Sequence, residues 1–226
     1  MIDDLILYLS RFVALLVVLP AHEFAHGYAA YKNGDNTAKY MGRLTLNPFK
    51  HFDLVGLVCF LLAGFGWAKP VPVNPYNFKD FKKGSFWVSI AGVLTNYILA
   101  FICYPLFVLS SSFLGGAGYL GEFMIMIFYW GFALDLSFFV FNLIPVYPLD
   151  GFRLVDVFAK KRGKLYMVAR KYGYYILLGL ILLSSAAGRM PQLEPLNIFG
   201  YFMKFAINIV GYPITAFWGW IFKLIF

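Results

Sequence analysis

The stretch "LPAHEFAHGYAAY", residues 19–31, directly follows the apolar run "LILYLSRFVALLVV" of residues 5–18. As one helix the two would cross a hydrocarbon core of about 30 Å. Yet the end of that helix carries two histidines and a glutamate, groups that are costly inside a membrane and therefore usually functional there. At about 3.6 residues per turn, His22 and His26 fall one turn apart on one face, and both imidazoles can bind a single divalent ion. Glu23 is offset by one position, where it can reach a water activated by the metal without being a ligand itself. A metal such as zinc lowers the pKa of water from 15.7 to roughly 7, and a neighbouring carboxylate can then take and return its proton.

The composition agrees with a membrane setting. Of 226 residues, 61% are hydrophobic, 21% aromatic and 13% charged, with a mean hydropathy of +0.72. A soluble core of this length could not hide so much apolar surface. The formal charge of +8 does not indicate nucleic acid, because the cations sit in short loops between apolar runs. Cys59 and Cys103 lie inside apolar runs without CxxC spacing, so they read as small buried hydrophobes. "MIDD" is acidic where a signal peptide would be basic, and no small-x-small cleavage site follows, so the first segment is expected to stay in the protein.

The pattern predicts an α-helical polytopic membrane protein with about five or six transmembrane helices. Spanning runs are residues 5 to about 31, 85–109 and 122 to about 144. A shorter run, 172–187, follows, and the run from 195 to 226 is interrupted by "VGYP", leaving one kinked helix, two short ones or an interfacial piece open. "LVGLVCFLLAGFGW", residues 54–67, is too short to span and is followed by the proline-rich "AKPVPVNPYNF". The region 44–76 is therefore expected to be re-entrant or strand-like. One integral-membrane domain, residues 1–226, is expected, with its core at about 5–155 and C-terminal helices at 172–226. Nothing in the sequence specifies an oligomeric state.

Residues 32–53 carry four basic against two acidic side chains, 69–84 four against one, and 151–171 seven against one, while "SSSFLGGAGYLG" has no charge. The positive-inside rule puts the three basic loops in the cytoplasm and the neutral loop outside. The helices of residues 5–31 and 122–144 then both run inward, and "HEFAH" and "FNLIPVYPLDG" arrive at the same depth.

Two histidines leave a catalytic zinc one protein ligand short. The remaining histidine, His51, follows Lys50 in a basic loop and reads as a solvated surface residue. Asp150 in "PLDG" offers an oxygen donor, although D-G is also a common turn pair. Asp135 and Asn142 are seven apart on α-helical spacing, and Arg11 and His22 eleven apart. If those faces meet, Arg11 and Asp135 could pair outward of the metal; otherwise Arg11 snorkels to the interface.

"HEFAH" together with "FNLIPVYPLDG" resembles the site-2 protease family of intramembrane zinc metalloproteases, in the compact form without a PDZ domain. "GRLTLNPFKHFD" and "GWAKPVPVNP" are similar to segments of the same family. The resemblance covers residues 5 to about 155. It implies Zn2+ held by His22, His26 and Asp150, Glu23 as general base, and cleavage of a transmembrane protein substrate from within the lipid bilayer. It also implies that Asn142, and Asn96 in "SIAGVLTNYILA", aim their amides at the substrate backbone or oxyanion. Val93 stands where the family often has proline. The compact form suggests a bacterial plasma membrane, with the active site toward the cytoplasm, and an edge strand in 44–76 to which an unwound substrate could add. Two other classes compete: a membrane metal-ion transporter, which would usually show internal repeats, and a catalytically silent scaffold binding membrane segments. Glu23 discriminates, because transport needs exchanging ligands whereas hydrolysis needs a carboxylate beside the metal that is not one.

Overall fold

The computed structural model describes residues 2–63, 66–159 and 162–225, with the side chains of 60–63 set aside. Gly64 and Phe65 of the apolar stretch, and Lys160 and Lys161 of the basic loop, lie outside the described residues. Three long helices form the centre: α1 (Ile2–Lys32), α4 (Phe81–Leu114) and α5 (Gly118–Leu143), each packed against the other two. The buried residues of α1 include Ile6, Ser10, Ala14, Val18, His22, His26 and Ala30. That spacing of four draws one stripe along the helix, and the histidines continue the line begun by small and apolar residues. Ala14, Leu15, Val18 and Leu19 pack with Leu134 of α5 just above the histidines, joined by Trp130 and Phe138. Leu7, Leu9 and Val17 of α1 are exposed instead, as suits contact with acyl chains.

Among the described residues, four helices are long and apolar enough to cross a membrane: α4, α5, α7 (Lys164–Ala187) and α8 (Ile198–Ile225). With the 31-residue α1, about 46 Å long at 1.5 Å per residue, five long helices are present. α7 begins eight residues earlier than the apolar run at 172, because the basic segment "KLYMVARK" is itself helical. The interrupted run at the C-terminal end is one helix, α8, with Pro213 inside it. Proline is tolerated in such helices because neighbouring helices and local adjustments take up the freed carbonyl. α8 lies against α5 and α4, where Ile214 packs with Ala100 and Leu136.

Among its described residues, the region 44–76 is neither spanning nor a sheet. A four-residue helix, α2 (Thr37–Tyr40), precedes it, and residues 54–63 form the ten-residue α3 (Leu54–Ala63). The strand character expected there amounts, among the described residues, to one antiparallel bridge between Phe52 and Ala68. An extended segment follows, fastened by side chains from elsewhere. Arg43 Nη2 donates to Lys69 O at 2.7 Å and Pro70 O at 3.3 Å, and Lys69 N donates to His51 O at 2.9 Å. His51 is fully buried, with Nε2 2.7 Å from Thr45 O. The expectation of a solvated surface residue is therefore corrected: the loop folds back over His51.

Asp35, just beyond α1, anchors the far end of this segment. It is fully buried and accepts from Asn74 N at 2.7 Å, Asn77 Nδ2 at 2.8 Å and Thr37 N at 3.0 Å, and from the Thr37 hydroxyl. Burial pushes its carboxyl up, but those hydrogen bonds outweigh burial and hold it below its ordinary value. A depressed folded pKa contributes stability that is present above the unfolded value, about 3.9, and lost as pH falls through the folded one. Asp35→Asn is therefore expected to cost about 1–3 kcal/mol near neutrality. Thermal melts in detergent should show the gap to wild type shrinking below about pH 4; a gap independent of pH would contradict the assignment.

Candidate metal centre

α1 and α4 cross where α4 has glycine. Gly92 sits on the α4 face that meets the histidines, and a Cβ there would lie 2.4 Å from His26 Nε2 and 2.8 Å from His22 Nδ1. The bare backbone lets both rings, nearly perpendicular to each other, approach α4 closely, where each finds an acceptor for Nδ1. His26 Nδ1 lies 2.6 Å from Val88 O, and His22 Nδ1 lies 2.6 Å from Asn96 Oδ1. With Nδ1–H donating in both rings, both Nε2 atoms present lone pairs.

Those lone pairs converge. The two Nε2 atoms are 3.0 Å apart, and Asp150 Oδ2 lies 2.9 Å from that of His26 and 3.3 Å from that of His22. Asp150 opens α6 (Asp150–Phe158). Gly151 seats α6 against the end of α5, since a Cβ there would meet Leu143 O at 2.3 Å. The sequence between runs through "IPVYP", with Tyr147–Pro148 in the cis form. All three residues are at most 5% exposed. Three acceptor atoms gathered in a buried place repel one another unless a cation lies among them. A tetrahedral zinc with bonds of 2.0–2.1 Å has ligand–ligand edges of about 3.3 Å, and the observed triangle is close to that. The donor set of two imidazole nitrogens and one carboxylate oxygen also suits zinc. Arg153 Nη1, 3.6 Å from Asp150 Oδ1, lies on the far side of the carboxylate.

Glu23 stands outside the triangle. Its Oε2 accepts from Val71 N at 2.8 Å, so the carboxylate is tied to the extended segment rather than to the three donors. Asn142 is half-buried in the last turn of α5 and donates from Nδ2 to Phe138 O at 3.1 Å. Asn96 is placed differently from expectation. It is fully buried, its oxygen faces His22, and its Nδ2 donates to Asp135 Oδ1 at 2.7 Å. Both ends of the amide are engaged on the Nδ1 side of His22, away from the three converging donor atoms. Asp135 is thereby bonded to Asn96, while the Arg11 guanidinium lies 5.1 Å from the centre of the Trp130 ring. The link from Asp135 to His22 was not legible in advance, although Asp135, an acid in the middle of an apolar helix, was visible as an anomaly.

Comparison with known proteins accords with this geometry. A model of the family described as "Peptidase family M50" matches residues 119–184. The chain is 44% identical over 172 residues to "Putative zinc metalloprotease YwhC" of Bacillus subtilis, covering 74% of this chain and 78% of that protein. It is 27% identical over 179 residues to "Putative zinc metalloprotease Rip2" of Mycolicibacterium smegmatis, covering 77% of this chain and 66% of that protein. No solved structure matches the chain.

Proposed function

The chain belongs to peptidase family M50, and on that premise we propose that it hydrolyses peptide bonds within or next to the transmembrane segments of other membrane proteins. It is an integral membrane protein and a zinc metalloprotease. The observation that carries the reading is the meeting of His22, His26 and Asp150 in one buried triangle, beside a carboxylate, Glu23, that is not part of it.

His22, His26 and Asp150 would hold the zinc, which when bound would supply a Lewis acid able to lower the pKa of water to about 7 and polarise a carbonyl. Glu23 takes the proton of the attacking water and passes it to the leaving amine. Val71 N–H holds the Glu23 carboxylate in place for both transfers. Asn142, beside the end of α5, supplies an amide to the substrate backbone or oxyanion. A peptide bond in a membrane helix is shielded by its own hydrogen bonds, so the substrate must unwind. The extended backbone around Val71, stitched down by Arg43 and Asp35, is the surface on which an unwound segment would lie alongside Glu23.

The basic loops on the site's side of the bundle support a site on the cytoplasmic face, and the bacterial relatives support a bacterial plasma membrane. Transport is disfavoured by Glu23, which is fastened to backbone rather than exchanging among the ligands. The test is to incubate the purified chain in liposomes with a mixture of membrane-protein segments and identify products by mass. Cuts inside or beside the apolar segments, absent from a Glu23→Gln control, are the expected result; cuts confined to soluble segments, or equal in the control, would overturn the reading.

A further inference from the structure

We propose that Asp135 is a positioning residue for the metal site, acting through Asn96 to hold His22 in the tautomer that presents Nε2 to the metal. The proposal rests on the zinc reading above and deepens it. A line of hydrogen bonds runs from α5 through α4 to α1: Asp135 Oδ1 accepts from Asn96 Nδ2 at 2.7 Å, and Asn96 Oδ1 faces His22 Nδ1 at 2.6 Å. Asp135 and Asn96 are both 0% exposed, so no solvent competes for these groups.

An amide has a donor end and an acceptor end of nearly equal shape. Were Asn96 turned over, its NH2 would face His22 Nδ1, that nitrogen would become the acceptor, and the ring proton would sit on Nε2, where the metal must bind. What lies behind the amide decides between the two. An ionised carboxylate only accepts, so in that form Asp135 draws the NH2 toward itself and turns Oδ1 toward His22. His26 needs no such device, because its Nδ1 faces the backbone oxygen of Val88, which can only accept. The same tautomer is thus set for one histidine by a carbonyl and for the other by a carboxylate acting through an amide.

The cost of Asp135 argues against a merely structural part. It is an acid buried within a membrane helix, and its Oδ2 has no hydrogen-bond partner. An asparagine in its place could bond Asn96 equally well at lower desolvation cost. What asparagine lacks is the obligation to accept.

The experiment is zinc affinity by chelator competition on the full chain in detergent, beside the melting temperature of the metal-free protein. Asp135→Asn, nearly isosteric, is expected to weaken zinc about 10- to 100-fold with little change in the metal-free melt. The swap N96D/D135N puts the obligate acceptor against His22 and the donor behind it, and is expected to return affinity to within a few-fold of wild type. Wild-type affinity in Asp135→Asn, or no recovery in the swap, would overturn the proposal. If Asp135→Asn does not fold, the wild type decides. Imidazole 15N shifts of zinc-free protein, recorded where the His22 ring is neutral, should show hydrogen on Nδ1; hydrogen on Nε2 would overturn it. A folded wild type with no zinc affinity would instead sink the metal reading, and is distinguished from failure of the relay, in which both proteins bind zinc equally.

Discussion

Replacing Gly92 with alanine is expected to empty the metal site of a chain that otherwise still folds. One added methyl would stand 2.4 Å from His26 Nε2 and 2.7 Å from His22 Cε1, closer than carbon and nitrogen atoms pack. Neither ring can simply step aside, because each is held through Nδ1, to Val88 O and to Asn96 Oδ1. Moving them breaks those bonds and spreads the three donors. The helix itself should not object, since alanine is favoured over glycine in a helix interior by about 0.8–1 kcal/mol. The expected outcome is zinc below about a tenth of the wild-type content, a drop consistent with losing at least a tenfold share of affinity, with near-native helicity and no proteolysis. Metal analysis beside circular dichroism checks it. Full zinc occupancy in the variant would mean that the histidines do not meet where α1 crosses α4.

Glu23→Gln is expected to have the opposite signature. Glutamine keeps an oxygen that can accept from Val71 N–H, so the extended segment should stay fastened. Its amide cannot take a proton from water, and removal of general base catalysis costs about 10²- to 10⁴-fold in rate. Zinc should remain at wild-type content while cleavage in the liposome assay falls by that factor. Loss of zinc would place Glu23 among the ligands, and retained cleavage would assign the base to another group.

The chemistry of α1 was legible because it is local: a helix fixes the relation of positions four apart, and His22 and His26 need nothing else to share a face. Asp150 needed more. Its D-G context is that of an ordinary turn, and it was singled out by resemblance to a family; the fold then brings it within 3.3 Å of both histidines. The contacts of Asn96 were not legible, since the direction of a buried amide depends on what stands behind it, and Asp135 lies on another helix. His51 was misread because basic neighbours suggest solvent, whereas the loop folds back so that its ring meets Thr45 O. Residues 54–63 were ambiguous for a physical reason: a uniformly apolar run of ten has no periodicity to separate helix from strand. The start of α7 was missed because its first turns are too basic to count as membrane, although charge does not stop a helix.

The claim on which the rest depends is that His22, His26 and Asp150 hold one zinc ion. It is tested most directly by bound zinc per chain in detergent for wild type and Asp150→Ala, with folding of both confirmed by their melts. Removing Asp150 leaves two imidazoles and no anionic ligand, so near one zinc per wild-type chain and a clear loss in the variant is the predicted result. Zinc unaffected by Asp150→Ala, or absent from well-folded wild type, would contradict it and separate the first helix from the α5–α6 turn as parts of one site.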